Sequence, residues 1–491
     1  MRHLKSRVFP DGKSLAAFGR KFVVCGVEAV AKLANIASPM SIWKKKRTWI
    51  LIALLLVVIL FPPLRPIDRS DYHGHTHYSD MRAALSALPA VASDTGNGWS
   101  VGFGKKNITP HRVPTAGYGV RKGALFSRVH DSVYVRAMVF DNGIRKVAIV
   151  SADMLIIPPV ITNILERRLP EIGFDIANTY LGATHTHNSI GTWGERLVGL
   201  VYSGSYSDSV VQFVANQVLE SIRLANANIA PAAIRYGVVP VPSAVYNRMD
   251  EHSTVDPLLR VMDIERKDGV KLSLTSFTAH ATCLTAEEMQ LSRDYPGRLV
   301  DLLEQRSYTF AMFMAGAVGS HGPAGGSGWE GVERMATLLA DAVTGHPDSL
   351  HTVGSSLLSM TRTRMYLGDP QFKISKDWRV APYVFRTLVG EYPVYLTGLT
   401  VGDVRMLGAP CDFSGSLMRP LDSLALTYGN RAMVTSFNGG YVGYITCDAY
   451  YDLDYHETRI MNWYGPGNGA YFSECFGILI DRLAIADPAR Q

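Results

Sequence analysis

The chain has 491 residues, 47% of them apolar and 19% charged, with a formal charge of +6. That length and apolar content can bury a sizeable core and exclude a disordered protein. Residues 1–47 hold eleven Lys and Arg against Asp11 and Glu28, a charge of +9, so the remainder stands at −3 and offers no electrostatic footprint for nucleic acid.

The basic tail ends in Lys44-Lys45-Lys46-Arg47, and Trp49 to Phe61 then runs without a polar residue up to Pro62-Pro63. Four positive charges before an apolar run predict a membrane anchor over 48–64, with residues 1–47 in the cytoplasm and the body exported. The run is shorter than the roughly 20 residues that cross a bilayer, which leaves a cleaved signal core as the rival. Ala90-Val91-Ala92 lies too far downstream to be a good cleavage site.

Residues 65–100 read as a linker, with one short helix expected over Met81 to Leu88 that packs back on the body. Within it, Asp71-Tyr72-His73-Gly74-His75-Thr76-His77-Tyr78-Ser79-Asp80 resembles the histidine-rich opening of the PHP phosphoesterases, although a solvated segment beside the membrane fits the same residues. From residue 101 to 491 strand and helix signals alternate, which predicts one large α/β domain of mixed sheets flanked by helices. Val133 to Phe140 and Lys146 to Ser151 read as strands around the hairpin signal Asp141-Asn142-Gly143. Val160 to Arg168, entered through Pro158-Pro159, and Ser209 to Ala225 read as helices. Leu272 to Thr278 and Val401 to Leu407 are further strand candidates, and Tyr295 to Gln305 and Val332 to Val343 further helices.

The apolar stretch from Tyr180 runs into Ala183-Thr184-His185-Thr186-His187. On an extended segment His185 and His187 would point the same way and could share one metal or one substrate, but two histidines also suit a polar strand end.

The body resembles the catalytic domain of the neutral ceramidases, zinc amidases that split ceramide into sphingosine and a fatty acid. The resemblance rests on blocks in the family's order: Asn107-Ile108-Thr109-Pro110, Gly117-Tyr118-Gly119, His130, Arg136-Ala137 and Ser151-Ala152-Asp153 come first. The His-Thr-His at 185–187 and Asn247-Arg248 follow, then Phe277-Thr278-Ala279-His280, Pro410-Cys411-Asp412-Phe413, Tyr441 to Thr446, Glu457 and Tyr464-Gly465-Pro466. It implies Zn²⁺ held by His185, His280, Asp412 and Tyr444, and catalytic roles for His187, Arg248 and Tyr444. Two imidazoles, a carboxylate and a further oxygen suit zinc, and His187 is placed to donate to an oxyanion or shuttle a proton. Asp153 is a candidate to orient a ligand histidine. Each also has a structural reading: His280 as a core histidine, Asp412 and Asp153 as turn carboxylates, Tyr444 as a sheet aromatic, Arg248 as a surface charge.

The sequence departs from the family at three places. Asp412 stands where the resemblance expects a glutamate, and Asn188-Ser189-Ile190 stand where Ser-Gly-Pro is usual. In Gly316-Ala317-Val318-Gly319-Ser320, Gly319 takes the place of a serine and Ser320 comes one position late. Since the sequence ends soon after the final block, the family's carboxy-terminal immunoglobulin-like domain is expected to be absent. Cys283, Cys411, Cys447 and Cys475 permit two disulfides in an exported body, free buried thiols, or thiolate ligation. The expectation is a membrane-anchored zinc amidohydrolase acting on an N-acyl lipid amide such as ceramide. Another acylated lipid, or a lipid-binding relative without turnover, is the alternative.

Overall fold

A computed structural model describes residues 46–52, 62–89 and 95–484. The chain divides into two units, 1–64 and 65–491. The expected anchor over 48–64 lies largely outside the described residues, and among those described no helix is long and apolar enough to cross a membrane.

The body is a mixed α/β structure of two stacked sheets with helices on both outer sides, as the alternating signals predicted. The larger sheet has nine strands. Its main path runs Phe310–Ala315, Lys271–Phe277, Leu258–Arg266, Ala230–Pro240, Trp99–Asn107, Tyr134–Asp141, Lys146–Ala152, Thr179–Ala183, and Leu350–Thr352 pairs beside Ala230–Pro240. Period-two alternation sorts its side chains between two cores. Val135, Ala137, Val139, Ala148 and Val150 meet Val211, Val214 and Val218 of the Asp208–Ala227 helix. Met138, Phe140 and Ile149 face the other way, onto Leu399, Val401, Met406 and Met433 of the second sheet. That second sheet orders Leu358–Arg364, Tyr395–Val401, Val404–Ala409 and Arg431–Ser436.

Each end of the large sheet is a parallel pair: Lys146–Ala152 with Thr179–Ala183, and Lys271–Phe277 with Phe310–Ala315. The two edges also meet, since Ser151 Oγ donates to the Phe313 carbonyl at 2.6 Å. The small sheet holds one more parallel pair, Val404–Ala409 with Arg431–Ser436. Loops leaving the carboxyl ends of parallel strands are where open α/β sheets bind ligands. His185, His280, Gly319 and Tyr441 lie on such loops, and Asp412 and Tyr444 stand opposite each other on a short parallel strand pair, Asp412–Phe413 with Tyr444–Ile445, farther along the same connections.

Two readings need correction. Val401 to Leu407 is not one strand, because Gly402-Asp403 turns the chain into a hairpin with Val401 opposite Val404 and Gly402 at φ +60°. A left-handed glycine in a two-residue loop reverses the chain, so the apolar residues around it belong to two strands. The stretch 65–100 is not simply a linker either, although the short helix expected to pack back on the body is present and does so. Thr76–Ser86 is a helix whose Met81 and Leu85, one turn apart, are fully buried with Tyr471, Phe472 and Phe476 of the Asn468–Leu483 helix. Its histidines do not gather as a metal site: His73 pairs with Asp71 at 2.6 Å, while His77 packs edge-on against Tyr471.

Candidate metal centre

His185 does not sit on a strand. The Thr179–Ala183 strand ends two residues earlier, and His185 is left-handed at φ +62°, a conformation that costs a non-glycine residue about 1–3 kcal/mol. The alternation argument for His185 and His187 therefore fails, although its outcome holds, because this turn brings the two Nε2 atoms within 3.2 Å. The surroundings enforce the turn. The His185 amide donates to the Met154 carbonyl at 3.0 Å, its ring stacks on Phe437 at 3.9 Å, and its Nδ1 is 2.6 Å from the Leu155 carbonyl.

That last contact fixes the tautomer: a carbonyl only accepts, so Nδ1 carries the proton and Nε2 presents a lone pair. This lone pair faces His280 Nε2 at 2.8 Å and Asp412 Oδ1 at 3.3 Å. His187 Nε2 is 3.0 Å from His280 Nε2, and the three imidazoles are the group suited to a metal ion among the described residues. Burial, then neighbouring cationic groups, pushes His187 and His280 well below the usual imidazole value, so both are neutral near pH 7. Neutral imidazole is the form that binds metal. Asp412 is fully buried and its Oδ1 has no hydrogen-bond partner, while Oδ2 accepts from Tyr441 at 2.6 Å. A buried, unpartnered carboxylate oxygen facing a lone pair is unfavourable by itself and is satisfied by a cation. Ligand atoms about 2.0–2.1 Å from a tetrahedral zinc lie roughly 3.3 Å apart, close to these separations. The donor set fits a zinc-like ion.

Tyr444 Oη is 3.3 Å from His280 Nε2, at the edge of the cluster, and burial followed by the Asp412 charge keeps its phenol protonated. Arg248 Nη2 is 3.4 Å from His280 Nδ1, and its Nε is 3.1 Å from Glu457 Oε1, so it is a half-buried charge beside the site and not a free surface one. Asp153 does not orient a ligand histidine. Its Oδ2 accepts from the Tyr134 amide at 2.9 Å, and the Leu155 carbonyl takes the role proposed for it. Ser320 is not a nucleophile in waiting. The Asp256 amide donates to His321 Nε2 at 2.9 Å, so the proton lies on His321 Nδ1 and faces Ser320 Oγ at 2.8 Å. A histidine that donates to the hydroxyl cannot act as its base. The four body cysteines are unpaired, and burial pushes the Cys411 thiol well above its usual value.

The sequence reading assigned no role to several residues that shape the site. Tyr441 anchors Asp412, Phe437 seats His185, and Glu457 pairs with Arg248. Arg121 donates to the His187 carbonyl at 2.6 Å and to Asn188 Oδ1 at 3.2 Å, and Asn188 Nδ2 reaches the Glu288 carbonyl at 2.7 Å. The unusual Asn188 is thus the centre of a satisfied buried network that holds the histidine loop. Tyr441 and Glu457 stand in the ordered blocks and Asn188 among the departures, while nothing in the sequence pointed to Phe437 or Arg121. The histidines open onto a cleft of about 1140 Å³, counting its open mouth, walled by Trp193, Tyr202, Phe385, Val389, Tyr441 and Trp463.

Residues 99–315 match the family model described as neutral/alkaline non-lysosomal ceramidase, N-terminal. The neutral ceramidase of Mycobacterium tuberculosis is 25% identical over 221 residues, 40% of this chain, and that of Pseudomonas aeruginosa 25% over 234 residues, 44% of it. Each alignment spans 34% of the relative, about a third of its length. The crystal structure of neutral ceramidase from Pseudomonas aeruginosa superposes with a TM-score of 0.65 at 18% identity, covering 80% of this chain and 75% of that one. A ceramidase complexed with C2 gives 0.66 at 17% identity, covering 80% and 77%. At such identity the structural likeness speaks for the fold alone, and it extends that fold well past residue 315. Residues 99–315, less than half of the chain, thus match the neutral ceramidase family model, and the solved structures share the fold of most of the chain.

Proposed function

We propose that this protein is a zinc-dependent amidohydrolase that cleaves the amide of an N-acyl lipid, with ceramide as the first candidate. The observation that carries this reading is the convergence of three buried imidazoles and a buried carboxylate oxygen without a hydrogen-bond partner among the described residues, at the end of an apolar cleft. His185, His280 and Asp412 hold the ion, with Tyr444 as a fourth donor. When bound, zinc supplies Lewis acidity and makes water more acidic.

The chain's own groups supply the rest. His187 lines the cleft, and its buried Nδ1 has no partner among the described residues, whereas a ligand histidine is normally anchored through its second nitrogen as His185 is. His187 is therefore free to give a proton to the leaving amine or to bind the developing oxyanion. Arg248 places positive charge beside the reacting carbonyl, and Glu457 keeps it there. The aromatic and aliphatic walls take the acyl chain and exclude water.

The apolar run after Lys44 to Arg47 anchors the enzyme with its catalytic body outside the cytoplasm. A reporter that works only in the cytoplasm, fused after Gln491, should stay silent, and strong signal from it would reverse this topology. The decisive experiment for the activity is metal analysis of the purified body followed by a screen of N-acyl lipids. One equivalent of zinc with chelator-sensitive release of fatty acid is expected. Bound lipid without turnover in the zinc-loaded protein would favour a non-catalytic relative.

A further inference from the structure

We propose that Gly319 is a positioning residue for Asp412, because its missing side chain sets how far that short carboxylate reaches into the histidine cluster. The proposal rests on the metal reading above and adds a constraint that reading does not contain. The two loops run side by side: the Gly319 amide donates to the Phe413 carbonyl at 2.8 Å, and Val318 bridges to Ser414. On the other flank the Asp412 amide donates to the Gly443 carbonyl at 3.1 Å. The Asp412 backbone is thus clamped between the two segments.

A Cβ on residue 319 would lie 2.9 Å from the Asp412 carbonyl carbon and 3.0 Å from that of Phe413, and nearer still to the Asp412 oxygen. Carbon contacts are comfortable at about 3.5–4.0 Å, so any side chain here drives the Asp412 backbone back by something on the order of 1 Å. Gly319 does not use the left-handed region, so space alone excludes a side chain. Asp412 cannot recover the loss by rotating, since Oδ2 is tied to Tyr441 at 2.6 Å. A carboxylate oxygen must come within about 2.0–2.2 Å of zinc, so a retreat of that size breaks the bond. It is also close to the reach of one added methylene, about 1.5 Å. Glycine at 319 and aspartate at 412 therefore form one compensated pair, and the two departures from the family pattern have a single physical cause.

The test is zinc affinity of full-length variants, by competition with a chelator and by the zinc-induced shift in melting temperature. Gly319→Ala should weaken binding by about 10–100-fold, the scale on which residues behind the ligands act. Asp412→Glu should weaken it as well, by crowding the ion from an unmoved backbone. Gly319→Ala combined with Asp412→Glu should return to within a few-fold of the native affinity. Native zinc binding in Gly319→Ala, or a double variant no better than either single one, overturns the pairing while the metal reading stands. A native protein that takes up no zinc overturns both. If Gly319→Ala does not fold, Asp412→Glu decides alone, and undiminished affinity in it overturns the proposal.

Discussion

The part of the body that ends at Ala315 and the part beyond it build one site from different atoms. The first supplies nitrogen: His185, His187 and His280, with Arg248 beside them. The second supplies oxygen: Asp412 with its anchor Tyr441, Tyr444 at the edge, and Glu457 behind Arg248. The family-model match falls within the first part, at residues 99–315, and in each part the donors follow the carboxyl ends of parallel strands. An imidazole pair in a short motif is recognisable from local sequence. An oxygen donor is interchangeable among several residue types, and what specifies it is where its backbone stands.

If the nitrogen donors dominate binding, His185→Ala should remove both zinc and activity, while His187→Ala keeps most of the zinc and loses on the order of 10²-fold or more in rate. Equal loss of metal in the two variants would break the division of roles between these rings. The oxygen side is tested by Asp412→Asn, which keeps the shape but supplies less charge to the ion. Weaker zinc binding and no hydrolysis are expected, and unchanged metal content with unchanged turnover would remove Asp412 from the site.

The cleft sharpens the comparison further, because its walls come from both parts. Val389, on the Pro382–Val389 helix, lines it. Val389→Trp should lower kcat/KM for long-chain N-acyl substrates by about tenfold or more and spare a two-carbon acyl chain, the range that hydrophobic pocket contacts command. Equal effects on both chain lengths would place the acyl chain elsewhere.

The smallest expected effect is on stability. Burial lowers His321 to about 4; this second-part ring donates to Ser320, whose hydroxyl sits beside Ser414 and Ser416, and accepts from the Asp256 amide of the first part. Because the unfolded histidine titrates near 6.5, the unfolded state binds more protons between about 4 and 6.5. Stability from this group is complete above 6.5 and is lost as pH falls toward 4. His321→Gln should flatten the melting temperature across that window, and an unaltered slope would assign the acid sensitivity to other groups.

By itself, the sequence determined the element types and much of the chemistry. The apolar alternation of Tyr134–Asp141 and the helical spacing of Asp208–Ala227 are local periodicities that burial enforces wherever they occur. The order of motifs from Asn107 to Tyr444 named His185 and His280 without any geometry. Tertiary structure alone decided what those residues do together. The left-handed turn at His185 arises from contacts with Met154, Leu155 and Phe437, none of them adjacent in sequence, and so no strand rule could predict it. Gly402 ended a strand that hydrophobicity continued, and Met81 and Leu85 docked a segment whose composition reads as linker. The meaning of Gly319 and Asp412 was the least legible, because it lies in the clearance between two backbones 93 residues apart, and that clearance exists only once both loops have been packed side by side.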